Sequence, residues 1–235
     1  MKKLTVLLGL VAYMCAGGQS QLAPPPGITT DSARNLYFNT LEETLPIHNG
    51  RVFYGYPGIL EHAFYPSNGW QTGAVLFDGI WYTKLNMMYD SFLDELVILH
   101  TTSTPVRLIS ERVQEFKFMN LHFVRLQADK DNVIKTGFYQ RVVDGPVTIW
   151  SKRSKKIEEN IVDLAIERKF IVTDQYYAFK DGSYTPIHKQ KQLLELMKDK
   201  RNAVVQHLKQ QRLKFRKAKE ESIVTMAEFY NQSSN

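Results

Sequence analysis

Five Asn-Gly or Asp-Gly pairs punctuate the chain: Asn49-Gly50, Asn68-Gly69, Asp78-Gly79, Asp144-Gly145 and Asp181-Gly182. These residues accept positive φ at the two central positions of a turn, so they supply reversals that match the twist of antiparallel strands. Around the third pair, Ala74 to Phe77 leads in and Ile80 to Tyr89 leads out. Trp81, Leu85, Met87 and Tyr89 recur there at period two, which predicts a half-buried strand with all four on one face. Leu96 to Leu99 is a continuous apolar run, Val106 and Leu108 alternate, and so do Phe116 and Phe118. Further strands are expected at 122–126, 137–143 and 147–151. Nothing between them is long enough to be the crossover helix of a parallel sheet. The expected fold is therefore mainly β, of the α+β kind, with an antiparallel β-barrel or sandwich body over residues 45–155 and a hairpin plus basic helices packed on it over 156–235. With 235 residues, 43% of them hydrophobic, the chain can bury a core without covalent staples.

The pattern changes after residue 155. Glu158 to Lys169 fits either a short helix or an irregular strand. Tyr176, Tyr177 and Phe179, then Asp181-Gly182 and Tyr184, read as another hairpin that Pro186 ends. Helices are expected near 189–198, 200–213 and 217–230. Leu193, Leu194 and Met197 share one helical face, as do Val204, Val205 and Leu208, and again Ile223, Ala227 and Tyr230. These stripes should pack on the β body, with a partner-binding groove as the alternative. Residues 189–219 carry 11 Lys and Arg against 2 acids, whereas residues 21–188 carry 17 against 19. Such a segment either is a solvated helical face or contacts acidic surfaces such as lipid head groups or glycans. Nucleic acid is not an expected partner, because aromatic rings other than Phe215 are not interleaved with the basic residues. The shorter run Lys152, Arg153, Lys155 and Lys156 is expected to be an exposed turn.

Lys2 and Lys3 precede an apolar run from Leu4 to Ala16, with Gly17, Gly18 and Ser20 after it. This is the layout of a secretory signal over residues 1–20, followed by an extended leader over 21–44 that contains the Ala-Pro-Pro-Pro-Gly stretch. The expectation is a secreted or periplasmic protein. Cys15, the single cysteine, is either an ordinary apolar residue of that signal or a lipoprotein anchor. Tyr13 and Met14 stand where a lipoprotein signal has small residues, which favours the first. A mature chain without cysteine has no disulfide, thiolate metal site or cysteine nucleophile. No transmembrane helix is expected, since no stretch approaches about 18 apolar residues.

Chemical motifs are sparse. His48, His62, His100, His122, His188 and His207 never fall at metal-ligand spacing. No nucleophile elbow, phosphate-cradling loop or dinucleotide fingerprint occurs, so no cofactor is expected. Asp90, Asp94 and Glu95 follow a strand. They would cap a turn, or as converging carboxylates they would serve a hydrolase of envelope or extracellular polymers. Trp70, Trp81, Tyr89 and Trp150 are the candidate binding residues, because rings of this kind line apolar pockets or stack on sugars.

Gly73-Ala-Val75 to Gly79-Ile-Trp-Tyr82, with Leu85, Tyr89-Asp90, Asp94 and Leu96, resembles a pattern in uncharacterised secreted proteins of Bacteroidetes-type bacteria. So does Tyr176-Tyr177-Ala-Phe179-Lys-Asp-Gly182-Ser-Tyr184 with the lysine-rich helices and Phe229-Tyr230-Asn231. The resemblance implies the envelope or periplasm of a Gram-negative cell and carries no activity to any residue. The functional expectation is a non-catalytic binding or structural role, with an envelope protein, a glycan or an apolar ligand as partner.

Overall fold

The computed structural model describes residues 45–162 and 164–233, which belong to one compact unit. The expected signal, leader and Cys15 lie outside the described residues. In chain order the strands are β1 (Arg51–Val52), β2 (Phe64–Tyr65), β3 (Gln71–Phe77), β4 (Ile80–Asp90), β5 (Glu95–Leu99), β6 (Pro105–Arg107), β7 (Val113–Phe118), β8 (Leu121–Leu126), β9 (Gly137–Val143), β10 (Thr148–Lys152), β11 (Lys155–Val162), β12 (Ala165–Val172), β13 (Gln175–Lys180) and β14 (Ser183–Pro186). Three helices follow: α1 (Gln190–Leu196), α2 (Arg201–Gln210) and α3 (Lys219–Gln232). The architecture is mainly antiparallel β with helices on one side, as the turn spacing predicts.

Twelve strands form one sheet in the order β1-β6-β5-β4-β3-β7-β8-β9-β10-β13-β14, with β2 added beside β4. The path is open at β1 and β14 among the described residues, so the closed-barrel version of the expected fold is set aside. Because β13 hydrogen-bonds to β10, the sheet runs straight through the expected boundary at residue 155.

Not every glycine pair makes a hairpin. Asp78-Gly79 and Asp181-Gly182 close two-residue turns with φ of 50° and 76°, and 50° and 79°, as type I′ geometry requires. Asp144-Gly145 sits in the longer β9–β10 connection, while Asn49-Gly50 and Asn68-Gly69 lie outside hairpins. Met119-Asn120 makes the β7–β8 reversal with no glycine at all.

Three register shifts bend the central strands, between Gly73 and Ala74 on β3, between Leu76 and Phe77 on β3 and between Ile149 and Trp150 on β10. At the first, β4 carries the extra residue: Gly73 pairs with Leu85 and Ala74 with Thr83, leaving Lys84 unpaired at φ 60°. A bulge of this kind bends the strand and increases its twist. It also reverses which parity faces inward, so Tyr82 is buried before it and Met87 and Tyr89 after it. Trp81 consequently faces outward, which corrects the expectation that it shares a face with Leu85, Met87 and Tyr89. The curl brings Tyr89 of β4 over β7, β8 and β9, with ring centroids 5.4 Å from Phe116, 4.8 Å from Phe123 and 6.3 Å from Phe138. Gly73 is needed in this layer, because a Cβ there would sit 2.2 Å from the Lys117 carbonyl oxygen and 3.0 Å from Met87.

The helical stripes dock where the periodicity places them. Leu193, Leu194, Met197, Val204, Leu208, Ile223, Met226, Ala227 and Tyr230 share one core with Val143, Val147, Ile149, Tyr176, Ala178 and Ile187 of the sheet side. Burying each large aliphatic chain stabilises the fold by roughly 1.5–3 kcal/mol. Asn231 fastens this layer: its Oδ1 accepts from Val147 N at 2.9 Å and its Nδ2 donates to Val147 O at 3.0 Å.

Residues 158–169 are neither helix nor a strand of the large sheet. They belong to a two-stranded hairpin, β11–β12, paired from Lys155↔Val172 to Val162↔Ala165. At its base Leu60 bridges Lys169, and Phe170 packs on Tyr56 and Phe92 at 5.2 and 5.4 Å. Towards the tip Ile161, Val162, Leu164 and Ile166 are 80%, 46%, 101% and 64% exposed.

Candidate binding groove and buried polar clusters

The four aromatic candidates are not one site. Tyr89 is fully buried, and its hydroxyl donates to Asp94 Oδ1 at 2.6 Å. Burial pushes that phenol well above its ordinary value, and the Asp94 carboxylate adds to the effect. Trp150 lies on the opposite face of the sheet, in a core with Ile134, Tyr139 and Tyr177. Trp81 is 38% exposed with the Lys117 ammonium 5.0 Å above its ring, near the β3–β4 turn. Trp70 precedes β3 at the other end of that hairpin. The structure therefore separates these rings into two cores and two surface positions.

The acids at the end of β4 and just beyond it are engaged in the fold. Asp90 is fully buried; its Oδ1 accepts from Phe92 N and Leu93 N, both at 3.0 Å, and its Oδ2 accepts from the Tyr56 hydroxyl. This is the expected turn-capping role, filled by the acid that ends β4. Burial, then the hydrogen bond to Asp90, raises the Tyr56 hydroxyl far above its usual range. Asp94 receives the Tyr89 hydroxyl, the Phe138 N–H at 3.2 Å and the Lys152 ammonium at 2.5 Å. Burial lowers the Lys152 pKa while the Asp94 carboxylate opposes the shift. Glu95 pairs with Arg107 at 3.2 Å.

The basic run at 152–156 is not the exposed turn that its composition predicts. Arg153 is 3% exposed. Ile149 and Ser151 face the interior, and continuing that period-two parity by one step carries Arg153 inward as well. Its guanidinium binds Gln140 Oε1 at 2.7 Å, Asp174 Oδ2 at 2.8 Å and Glu220 Oε1 at 2.5 Å. It also stacks 4.7 Å from the Tyr65 ring. Burial alone would raise the Glu220 carboxyl, but Arg153 and the Tyr176 hydroxyl outweigh that and hold it below the usual carboxylate range. Charge pairing in the sequence gives no local sign of this junction, because Asp174 and Glu220 lie 21 and 67 residues away.

Among the described residues, an accessible concave surface lies on the helices. Helix α2 stops in a Schellman arrangement, in which Leu213 N–H donates to Leu208 O at 3.2 Å and Arg212 N–H to Lys209 O at 3.0 Å, with Arg212 at φ 56°. This reversal turns Leu213 back beside Leu208. The segment to α3 then folds on itself through Lys217 N–H to Lys214 O at 2.8 Å. Between these pieces is a groove of about 720 Å³ whose floor is Val205, Leu208, Leu213 and Phe215. Lys209, Lys214, Arg216 and Lys217 stand around it with exposed side chains. The sequence marks this place twice, by its net charge of +9 over residues 189–219 and by Phe215 within the basic run. It does not show that the unpaired apolar positions converge, because that depends on the Schellman reversal at a non-glycine residue.

Among the described residues, no three His, Cys, Asp or Glu side chains gather into a group able to hold a metal ion. No described helix is long and apolar enough to cross a membrane. In comparisons with known proteins the chain matches no family model, no curated protein and no solved structure.

Proposed function

We propose that this is an exported, non-catalytic interaction protein of the cell envelope, and that its contact surface is the groove between α2 and the segment that follows it. The observation that carries the reading is the pairing of an apolar floor with a rim of four exposed cations. An apolar floor favours a hydrophobic insert, and a cationic rim favours one that bears negative charge. The residue-level chemistry points the same way. Asp90 and Asp94, the acids best placed for a hydrolase, already spend their oxygen atoms on Tyr56, Tyr89, Lys152 and backbone N–H groups. A general acid or base must instead meet a substrate proton within hydrogen-bond reach. Export rests on the charge, apolar run and small residues of the first twenty positions, and envelope residence on the resemblance to secreted proteins of Bacteroidetes-type bacteria.

The test uses anilinonaphthalene sulfonate, an acidic apolar fluorophore, as the probe. The folded full-length chain is expected to bind it with enhanced, blue-shifted emission. Binding should weaken at least threefold between 50 and 500 mM NaCl, roughly what screening of several exposed cations gives. The variant Lys209→Glu/Lys214→Glu/Lys217→Glu alters only exposed side chains and is expected to lose most of that binding. Equal binding by the variant and the wild type would place the interaction elsewhere and remove this reading.

A further inference from the structure

The tip of β11–β12 is built unlike the rest of the surface. Cross-strand partners share a face, so Ile161 and Ile166 cover one side of the ribbon and Val162 and Ala165 the other, with Leu164 fully exposed at the end. One step below, Glu159 pairs with Arg168 at 2.7 Å, and Asn160 stands opposite Glu167. The described side chains at the end of the hairpin are thus apolar on both faces, above a polar collar, and the sequence places one carboxylate, Asp163, between Val162 and Leu164. A sheet face meant for side-by-side packing is apolar on one side only. Exposed apolar side chains on both faces, with a carboxylate between them in sequence, suit end-on insertion into an apolar groove that has a cationic rim.

The same chain carries an open groove of matching chemistry. The open groove beside the end of α2 is floored by aliphatic and aromatic side chains and has a volume of about 720 Å³. That is room for Leu164 with a flanking isoleucine. The charges are complementary, because residues 158–169 hold four carboxylates against two cations while residues 189–219 hold a net +9. Within one molecule the two surfaces are apart: the tip side chains are exposed and none of them lines the groove.

Resting on the reading of the groove as the contact surface, we infer that its occupant is the β11–β12 tip of a second copy of this chain. The contact joins two different surfaces, so it is heterologous. Repeated, it closes into a ring or extends as a filament. A tip in a groove covers less than the roughly 1,000 Å² of a durable interface, so each single contact is weak and exchanges rapidly.

Sedimentation velocity of the full-length chain reads the mass. In 50 mM NaCl the average mass is expected to rise with concentration between 10 µM and 1 mM, and in 500 mM NaCl that rise should shift to at least tenfold higher concentration. The tip variant Leu164→Asp/Ile166→Asp and the rim variant Lys209→Glu/Lys214→Glu/Lys217→Glu should each be monomeric alone, with wild-type circular dichroism. Mixed together they retain one intact tip and one intact groove between them, and the mixture is expected to recover a 1:1 dimer and nothing larger. Association through the exposed edges of the hairpin would ignore the rim variant and would overturn the inference. A wild type that stays monomeric at 1 mM in low salt also overturns it. If that monomer still binds the sulfonate fluorophore at the groove, the proposed function stands and only the identity of the occupant falls. Failure of both measurements removes both.

Discussion

Gly137 and Arg153 sit at two buried polar junctions. A Cβ at Gly137 would lie 2.2 Å from Asp94 Oδ2 and 2.6 Å from Lys152 Nζ. Gly137→Ala must therefore part the Asp94–Lys152 pair or move β9, and overpacking of this order costs about 1–3 kcal/mol. Urea unfolding is expected to show that loss as a lower midpoint with an unchanged slope. At the second position, the guanidinium of Arg153 holds a carboxylate whose folded-state pKa lies below its unfolded value. Between those two values the unfolded chain binds more protons, so stability rises with pH there. The contribution of Glu220 is complete above the ordinary glutamate pKa and disappears as pH falls through the depressed one. Glu220→Gln is expected to flatten the acid limb of a stability–pH profile while lowering stability at pH 7. An unchanged acid limb would show that Glu220 titrates alike in both states. None of this was legible from local sequence, since a run such as Lys152, Arg153, Lys155, Lys156 has the composition of a solvated turn. The one available clue was parity, with Ile149, Ser151 and Arg153 at alternate positions.

At the scale of elements, periodicity carried most of the information. The strands expected at 122–126, 137–143 and 147–151 and the helices expected near 189–198, 200–213 and 217–230 stand within a few residues of where they occur, because each buries one continuous stripe. Residues 158–169 were ambiguous for a physical reason. Their apolar positions sit at the tip, exposed on both faces of the ribbon, so neither a period of 2 nor one of 3.6 is imposed by a core. The placement of the aromatic candidates was hidden in a related way, since aromatic content names residues but not faces, and the bulge at Lys84 decides the face of Trp81. The groove depends on the end of α2, where Arg212 takes a left-handed conformation that costs a non-glycine residue roughly 1–2 kcal/mol. Arg212→Gly is expected to raise stability by about 0.5–1 kcal/mol, part of the conformational gain being offset by the greater freedom of glycine in the unfolded chain. Thermal unfolding checks it, and a fall in the midpoint would mean that the Arg212 side chain contributes more than its backbone costs.

For the molecule as a whole, sheet and helices share one buried layer. The face of β9, β10 and β13 that presents Val143, Ile149, Tyr176 and Ala178 is dry only because the helices cover it. Arg153 likewise has Glu220 as a partner only when α3 is in place. A chain ending at residue 188 retains every strand but uncovers that face and removes a carboxylate from a buried cation. It is expected to lose fixed near-ultraviolet circular dichroism and to self-associate, whereas removing only the exposed tip residues should leave the unfolding transition unchanged. A truncated chain that unfolds as cooperatively as the intact one would show the sheet to be self-sufficient.

The unpaired residue at position 84 has one more consequence. Tyr82 and Leu85 both point inward with two residues between them, so excising Lys84 restores plain alternation and leaves every neighbouring side chain facing as it does now. A deletion of that single codon would therefore look harmless by hydropathy. What it would take away is curvature: a straighter β4 no longer arches back over β9, and Asp94 would lose its reach to the Phe138 amide and the Lys152 ammonium.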